Sequence, residues 1–180
     1  SSTSALCSGG ATATAVVANT ELWDGSSWTE TTDINAARYI GSTSNTGTAS
    51  SAINIGGLLP PGSGTTGTEE WTGAGSAVGA WSTGGSLNTA RITLAGAGTQ
   101  TAGLAFGGSP PDSAKTESYD GTSWTEVNDL NLARTNLAGT GTSTSALAFG
   151  GETPGETMKN ETESWNGTSW SEVADLNTAR

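Results

Sequence analysis

The sequence predicts an all-β fold built from four similar repeats, and three observations support this prediction. Glycine contributes 27 of the 180 residues, and Ser and Thr are abundant, which disfavours long helices. A frame such as ESYDGTSWTEVNDLNLAR at 117–134 recurs along the chain. Gly-Gly doublets recur at intervals of 47, 51 and 43 residues. Periods of about 40 to 50 residues are typical of β-propeller blades, so each repeat is predicted to form one blade of four short strands.

The repeated frame ends in a constant Trp-to-Arg interval of ten residues. The tryptophans are Trp28, Trp81, Trp124 and Trp170, and the arginines are Arg38, Arg91, Arg134 and Arg180. The second copy is longer, since its Trp71 and Trp81 are ten residues apart where other copies have a spacing of five. The chain is therefore interpreted as one domain, 1–180, with repeats at about 1–38, 39–91, 92–134 and 135–180.

The last repeat illustrates the four predicted strands. A strand rich in small residues at about 137–142 suits the crowded centre of a propeller, and 146–149 follows it with alternate apolar residues on one face. The doublet Gly150-Gly151 ends this second strand. The third and fourth strands, 161–165 and 169–173, meet across Asn166-Gly167, a strong hairpin signal. The segment that follows, Leu-Asn-x-Ala-Arg, is expected to carry the chain to the next blade.

The repeats differ mainly in two places. The connections after the Gly-Gly doublets vary in length and contain Pro and Gly, which should break regular structure there. The second copy also has a longer loop at 72–80, which is expected to protrude. Possible ligand or partner contacts are therefore placed in and beside this loop, at Gly73, Ser76, Val78 and Trp81.

The first repeat is predicted to lack its inner strand, because SSTSALCSGG at 1–10 aligns with TSTSALAFGG at 142–151. Two interpretations follow. The chain forms a small four-bladed ring with one three-stranded blade, or it is a segment of a longer array or a multichain ring. The second interpretation is favoured, because an unpaired strand edge invites association.

The order of Gly-Gly, loop, Trp or Tyr, turn, Trp, Leu and Arg resembles kelch repeats of the galactose-oxidase-like propellers. The resemblance covers nearly the whole chain and implies a kelch-like β-propeller, or propeller segment, of about four blades of four-stranded antiparallel sheets. The sequence pattern WxGTSWTEVxDLNxAR is most similar to kelch-like repeats of marine phage and bacterial surface proteins. That similarity implies a place on a virion or cell surface.

Charge and composition exclude several classes of function. The net charge of −11 and the six basic residues leave no basic patch for a nucleic acid backbone. No stretch approaches the roughly 18 apolar residues that span a membrane. Cys7 is the only cysteine, so an intrachain disulfide is impossible; its alignment with Asn54, Ala105 and Ala148 indicates a small packed residue.

No catalytic constellation stands out. The chain has no histidine, which excludes imidazole catalysis and the usual zinc, copper or haem ligation, and the copper site of galactose oxidase has no counterpart. Ser118 to Trp124 resembles the Asp box of sialidases with one residue missing, and that box is structural. Carboxylates such as Glu126 and Asp129 recur from copy to copy, as scaffold residues do, whereas a glycosidase pair should break the repeat.

The four arginines permit two interpretations. They could form a ring that binds an anionic ligand, or each could pair with Asp33, Asp129, Asp175 or a Glu of an adjoining blade. The pairing is favoured, since acid is in excess and Arg suits bidentate carboxylate contacts. The tryptophans similarly either stack on sugar rings, with Trp81 the best placed, or pack between blades, which is favoured.

The resulting functional prediction is a non-enzymatic structural or binding module without cofactors. It would act in protein or host-surface attachment as an extracellular or virion-surface component, as in a phage tail or fibre. Expected partners are other proteins or further copies of the chain, and surface glycans are a further option; nucleic acid and membrane insertion are not expected. The alternative is a lectin-like carbohydrate-binding propeller, and a glycan-active hydrolase or oxidase is a remote one.

Overall fold

A computed structural model describes residues 3–43, 49–73, 79–111 and 113–180. Within these residues every regular element is a β-strand, which confirms the predicted all-β class. Strands are numbered in chain order and form four main antiparallel sheets and two small ribbons.

The first sheet contains β1 (Ala5–Ala11), β2 (Val16–Trp23) and β3 (Trp28–Glu30). The second contains β4 (Ser42–Thr43), β5 (Ser51–Ile55), β8 (Thr68–Gly73) and β9 (Gly79–Thr83). The third contains β10 (Ala95–Thr99), β11 (Ala102–Phe106), β12 (Thr116–Tyr119) and β13 (Trp124–Val127). The fourth contains β14 (Ala138–Thr142), β15 (Ser145–Phe149), β18 (Thr162–Trp165) and β19 (Trp170–Val173).

Each main sheet is a meander in which the strands pair in chain order. In the third sheet Glu117 lies opposite Ala105 on one side and Glu126 on the other, and Tyr119 lies opposite Trp124. The strands of the fourth sheet lie where the sequence predicts them. The first sheet has three strands in the described residues, and the partner missing relative to the other sheets is the inner one, as predicted.

The connections after two Gly-Gly doublets contain short ribbons. They are β6 (Leu58–Leu59) with β7 (Ser63–Gly64), and β16 (Glu152–Thr153) with β17 (Thr157–Met158). The prediction that Pro and Gly exclude regular structure from these connections is therefore wrong in two repeats. In the fourth repeat Pro and Gly lie at the turn between β16 and β17, where Gly155 has a φ of 89°, so they allow the two-stranded ribbon to form.

The hairpins at the outer edge of the sheets use the predicted Asp-Gly or Asn-Gly turns. Asp120 N–H donates to the Ser123 carbonyl at 3.3 Å, and the Asp120 carboxylate accepts from the amides of Ser123 and Thr122, both at 2.8 Å. These amides lower the pKa of Asp120. At the equivalent turn of the first sheet, the amides of Ser27 and Ser26 lower the pKa of Asp24 to about 2. The connection spans four residues between paired strands, which is longer than the two-residue turn that Asp-Gly alone would indicate.

Successive sheets pack face to face, and a separate apolar cluster lies between each pair. Between the third and fourth sheets, Leu104 and Phe106 pack with Trp165 and Trp170, and the ring centroids of Phe106 and Trp170 are 4.9 Å apart. The cluster between the second and third sheets includes Ile53, Ile55, Leu87, Leu94, Ala105, Tyr119 and Trp124. That between the first and second includes Ile34, Ala52, Trp71 and Trp81, with Leu6 and Ala18 against it. Both faces of each inner sheet are therefore covered.

In the second, third and fourth repeats the Gly-Gly doublet directly follows the second strand, whereas in the first repeat Gly9 and Gly10 lie within β1. In every repeat the first glycine of the doublet lies close to the carbonyl of the repeat arginine. Gly107 has a φ of 70°, and a Cβ added there would lie 2.8 Å from the Arg134 carbonyl oxygen. The next residue, Gly108, donates its N–H to that same oxygen at 2.9 Å. A side chain at Gly107 would both strain the backbone and separate these segments, which explains the glycine.

Candidate functional site

The repeated arginine lies at the junction between its own sheet and the next one. Arg134 follows the third sheet, and its Nη2 donates to Glu163 Oε1 of the fourth sheet at 2.8 Å. Its Nη1 donates to the carbonyl oxygens of Gly150 at 3.0 Å and Glu161 at 2.7 Å. One guanidinium thus joins a carboxylate, the end of β15 and the residue that precedes β18.

The same contacts occur at the two preceding junctions. The ion pairs are Arg38 with Glu69 at 2.5 Å and Arg91 with Glu117 at 2.7 Å. The accompanying carbonyl contacts are Arg38 to Gly56 and Gly67, and Arg91 to Gly107 and Lys115. We call each such set, the arginine with its glutamate and two carbonyl oxygens, a clamp.

The clamps are buried ion pairs in which Nη1 and Nη2 of each guanidinium have partners, whereas Nε of Arg91 and of Arg134 is buried without a hydrogen-bond partner among the described residues. Arg38, Arg91 and Arg134 are 4%, 1% and 0% exposed. Burial lowers the pKa of Arg91, while the charge of Glu117 acts in the opposite direction. Breaking such a pair is costly, because the remaining charge stays out of water without a partner. Three of the four arginines are therefore unavailable to an anionic ligand, and the interpretation as ion pairs at a junction is correct for them, the junction being that between neighbouring sheets.

In each clamp an asparagine donates hydrogen bonds to the carboxylate oxygen that the arginine does not bind. Asn131 donates to Glu163 Oε2 from its backbone N–H at 2.7 Å and from Nδ2 at 2.9 Å. Because Arg134 binds Oε1 and Asn131 binds Oε2, the carboxylate is held in one orientation. Asn35 with Glu69 and Asn88 with Glu117 repeat this arrangement.

The aspartates considered as arginine partners instead accept hydrogen bonds from backbone amides. Asp129 accepts from the Thr116 amide at 3.1 Å and Asp175 from the Thr162 amide at 3.2 Å, each within its own repeat. Asp33 and Thr20 make the corresponding contact at 3.3 Å. The sequence left an aspartate and an adjoining glutamate open as the partner; the glutamate is correct and the aspartate option is wrong.

A tryptophan and a threonine form the second polar contact of each junction. Trp170 Nε1 of the fourth sheet donates to Thr116 Oγ1 of the third at 3.0 Å, and both side chains are buried. Trp124 with Thr68 and Trp81 with Thr20 are equivalent, also at 3.0 Å. Sequence analysis missed the threonine and the particular glutamate. The signal was a Thr-Glu dipeptide at the same place in every repeat, before the first aromatic residue of the frame.

The first and fourth sheets each have one face that no described sheet covers, and on that face the junction residues lack their partners. At the fourth sheet Arg180 is exposed, and Thr162 Oγ1 is buried without a hydrogen-bond partner among the described residues. At the first sheet Glu21 is exposed and Trp28 is 49% exposed, compared with 7% or less for Trp81, Trp124 and Trp170. The predicted burial of Trp28 is thus wrong, because no described sheet covers that face.

Cys7 differs from its prediction for the same reason. Its equivalents Asn54, Ala105 and Ala148 are 3%, 0% and 0% exposed, whereas Cys7 is exposed on the uncovered face of the first sheet. The interpretation as a small packed residue holds for the position in the other repeats and is wrong for Cys7 itself.

The predicted contact residues around the second-copy loop are only partly described. Strand pairing extends through Thr72–Ala80 to Gly73–Gly79, so Gly73 is a buried strand residue. Trp81 is 7% exposed, tilts against Trp71 at a centroid distance of 5.6 Å and binds Thr20, so it does not protrude. Ser76 and Val78 lie outside the described residues.

Other candidate chemistry is not assembled in the described part of the chain. Glu126 binds Lys115 on the surface at 2.9 Å, and Asp129 binds a backbone amide, so these two carboxylates have separate structural partners. Among the described residues, no group of three or more Cys, Asp or Glu side chains is arranged to hold a metal ion. Within the same residues, no helix is long and apolar enough to span a membrane.

Comparison with known proteins shows the fold alone. No family model matches the chain, and no curated protein matches it by sequence. The chain is similar to the solved structure of YjhT, with a TM-score of 0.72, 14% sequence identity, and coverage of 88% of this chain and 53% of that one. The chain therefore spans about half the length of that structure. The all-β architecture of small antiparallel sheets is consistent with a β-propeller-like fold.

Proposed function

We propose that the chain is a kelch-like propeller module that acts as a non-enzymatic structural or binding component. One observation carries this proposal: at three successive junctions the recurring Arg, Glu and Trp side chains are used between sheets. Arg134 with Glu163, and Trp170 with Thr116, are two buried examples. A repeated frame that serves packing leaves recognition to the parts in which the repeats differ.

The blade arrangement of the proposal follows the order of strands. Four blades would correspond to the four main sheets, with β1 as the innermost strand present in the first. The Gly-Gly doublet that follows β5, β11 and β15, together with the buried arginine after each of the first three sheets, supports the kelch-like assignment. The faces of the middle blades are covered on both sides, as expected where blades adjoin.

Attachment would involve the variable connections after the doublets. Connections on a rigid β-scaffold are suited to recognition because they can change without disturbing the core. The ribbon of β16 and β17 presents Met158 at 54% exposure, and the equivalent connection of the third repeat has a different length and sequence. We place this role on a virion or cell surface, in line with the resemblance of the repeats to phage and bacterial surface proteins.

An exchange of connections tests this role. Residues 152–160 would be replaced by 109–114 of the third repeat; both stretches have a formal charge of about −1, so the exchange alters shape more than charge. Binding to a glycan array and to intact particles or cells of the source would be measured. We expect binding to be lost while the thermal unfolding midpoint stays near that of the unchanged chain.

Asp120→Asn is the matched control, because it converts one frame turn into the Asn-Gly version already present in the fourth repeat. It should bind like the unchanged chain. Binding that survives exchange of every variable connection would contradict the proposal. So would turnover of a glycoside that is abolished by replacing a carboxylate outside the repeated frame, since this would indicate an enzyme.

A further inference from the structure

We infer that the uncovered face of the fourth sheet is a docking surface for the uncovered face of the first sheet of a second copy of this chain. The two faces carry opposite halves of the junction that joins the sheets within the chain. The inference deepens the proposal of a structural module and rests on it. It names the partner as the chain itself, in a head-to-tail arrangement.

Complementary charges lie on the two uncovered faces. At each internal junction the arginine of one repeat binds the glutamate of the next, as Arg134 binds Glu163. Arg180 is the arginine with no described repeat after it, and Glu21 is the glutamate with no described repeat before it. Both are exposed, and no ion pair is formed by either within the described residues. They have opposite charge and equivalent positions, so each supplies what the other lacks.

The two faces also carry complementary hydrogen-bonding groups. Each internal junction joins a tryptophan Nε1 to a threonine Oγ1 of the preceding sheet, as Trp170 does to Thr116. Thr162 Oγ1 is buried and has no such donor in the described structure, while Trp28 is half-exposed at the other end of the chain. A buried hydroxyl oxygen without a partner costs free energy, and a tryptophan in the place of Trp28 would satisfy it.

Apolar surface on the two faces completes the match. Leu147 and Val173 are 39% and 44% exposed on the fourth sheet, whereas Leu104, the equivalent of Leu147 in the third sheet, is 0% exposed beneath its neighbour. On the first sheet, Trp28 and Cys7 are exposed where their counterparts are covered. Trp28 would cover Leu147 and the half-buried Phe149 in the way that Trp170 covers Leu104 and Phe106.

Charge reversal at one end and then the other tests this arrangement with the full chain. Arg180→Glu alone places two glutamates at the junction, and Glu21→Arg alone places two arginines there. Each variant alone should associate about a hundredfold more weakly than the unchanged chain, because like charges would be brought together. Mixed in equal amounts, the two variants should associate again, since one junction is native and the other has its charges exchanged.

Sedimentation velocity over a concentration series gives the dissociation constants, and far-UV circular dichroism at low concentration checks that each variant is folded. Lys115→Glu is the matched control for Arg180→Glu: it makes the same change of charge at a position away from both faces. This variant should associate like the unchanged chain. Reactivity of Cys7 with a water-soluble maleimide gives a second reading and should fall as the unchanged chain associates.

Three results would overturn the inference. The unchanged chain could remain a monomer at all concentrations with Cys7 equally reactive throughout. The single reversals could leave association intact. The mixture of the two reversed chains could fail to associate although each is folded. None of these results depends on binding to glycans or surfaces, so they are distinguishable from a failure of the attachment role.

Discussion

At the scale of single residues, the same side chain at the same repeat position has different surroundings according to what lies beside its sheet. Arg134 is 0% exposed and bound to Glu163, whereas Arg180 is exposed. The two side chains are chemically identical, and the sequences that end in them, DLNLAR and DLNTAR, are nearly so. Their contributions to stability should therefore differ only because of the sheet that covers one and not the other.

Arg134→Ala and Arg180→Ala test this difference directly. The first leaves Glu163 buried without its cation and should lower the free energy of unfolding by about 3 to 5 kcal/mol. The second removes an exposed side chain and should change it by less than about 0.5 kcal/mol under conditions in which the chain is monomeric. Urea unfolding followed by fluorescence gives both values. Equal losses would show that the clamp is not what stabilises the junction.

The tryptophans give a second matched pair. Trp124→Ala empties a buried site beside Tyr119, whose ring is 4.8 Å away, and should cost about 3 to 5 kcal/mol. Trp28→Ala removes a half-exposed ring and should cost the dilute chain about 1 kcal/mol or less. Thermal unfolding at low protein concentration checks both. A similar loss at the two positions would contradict the exposure assigned to Trp28.

Ionisation of Tyr119 should lower the stability of the folded chain at alkaline pH. Burial and the hydrogen bond that its hydroxyl donates to Glu70 raise the pKa of Tyr119 from 10.0 to about 12. Because the folded pKa lies above the unfolded one, this contribution is complete below pH 10 and is lost as the pH rises towards 12. Absorbance at the tyrosinate band should show a transition near pH 12 that is missing in Tyr119→Phe. A transition unchanged by that substitution would rule out this assignment.

At the scale of elements, the strands were predictable because their signals are local. Short apolar alternation, Gly-Gly and Asp-Gly all act over a few residues, and the predicted strand at 146–149 is β15, Ser145–Phe149, to within one residue. The ribbons were not predictable in this way. Their strands are two residues long. Leu58 of β6 and Glu152 of β16 also form single bridges with Tyr39 and Thr135, which lie at the preceding repeat boundary.

The doublet glycines supply a prediction at this scale. Gly107→Ala would meet the Arg134 carbonyl at 2.8 Å and a Leu137 methyl at 2.7 Å in addition to its strained φ of 70°. Gly155→Ala has a comparable φ of 89° but open space around the new methyl. We expect Gly107→Ala to destabilise the chain by about 2 kcal/mol more than Gly155→Ala. Differential scanning calorimetry of the two variants decides this, and equal melting temperatures would argue against close packing at the doublet.

At the scale of the whole molecule, stability resides in the contacts between neighbouring sheets. Each apolar cluster and each clamp joins one sheet to the next, so the sheets form a series of nearest-neighbour interfaces. The outer faces of the first and fourth sheets are the places where such an interface is half present. A second copy bound there would add one more interface of the same kind.

Association of this kind makes stability depend on protein concentration. If copies bind head to tail, the unfolding midpoint of the unchanged chain should rise with concentration, because binding favours the folded state by mass action. Arg180→Glu should show a midpoint that is nearly independent of concentration. Scanning fluorimetry over a hundredfold range would measure both, and parallel behaviour of the two chains would count against the proposed surface.

The sequence by itself determined the β class, the positions of the main-sheet strands in the fourth repeat and the recurrence of Trp, Glu and Arg, because each depends on local backbone preference or on repetition along the chain. Only the tertiary structure decided which partners these side chains have. Arg134 binds Glu163, 29 residues away, and Trp170 binds Thr116, 54 residues away, so neither contact follows from spacing alone. The exposure of Trp28 and Arg180 was likewise decided by which faces another sheet covers, a property of packing that identical repeats do not share.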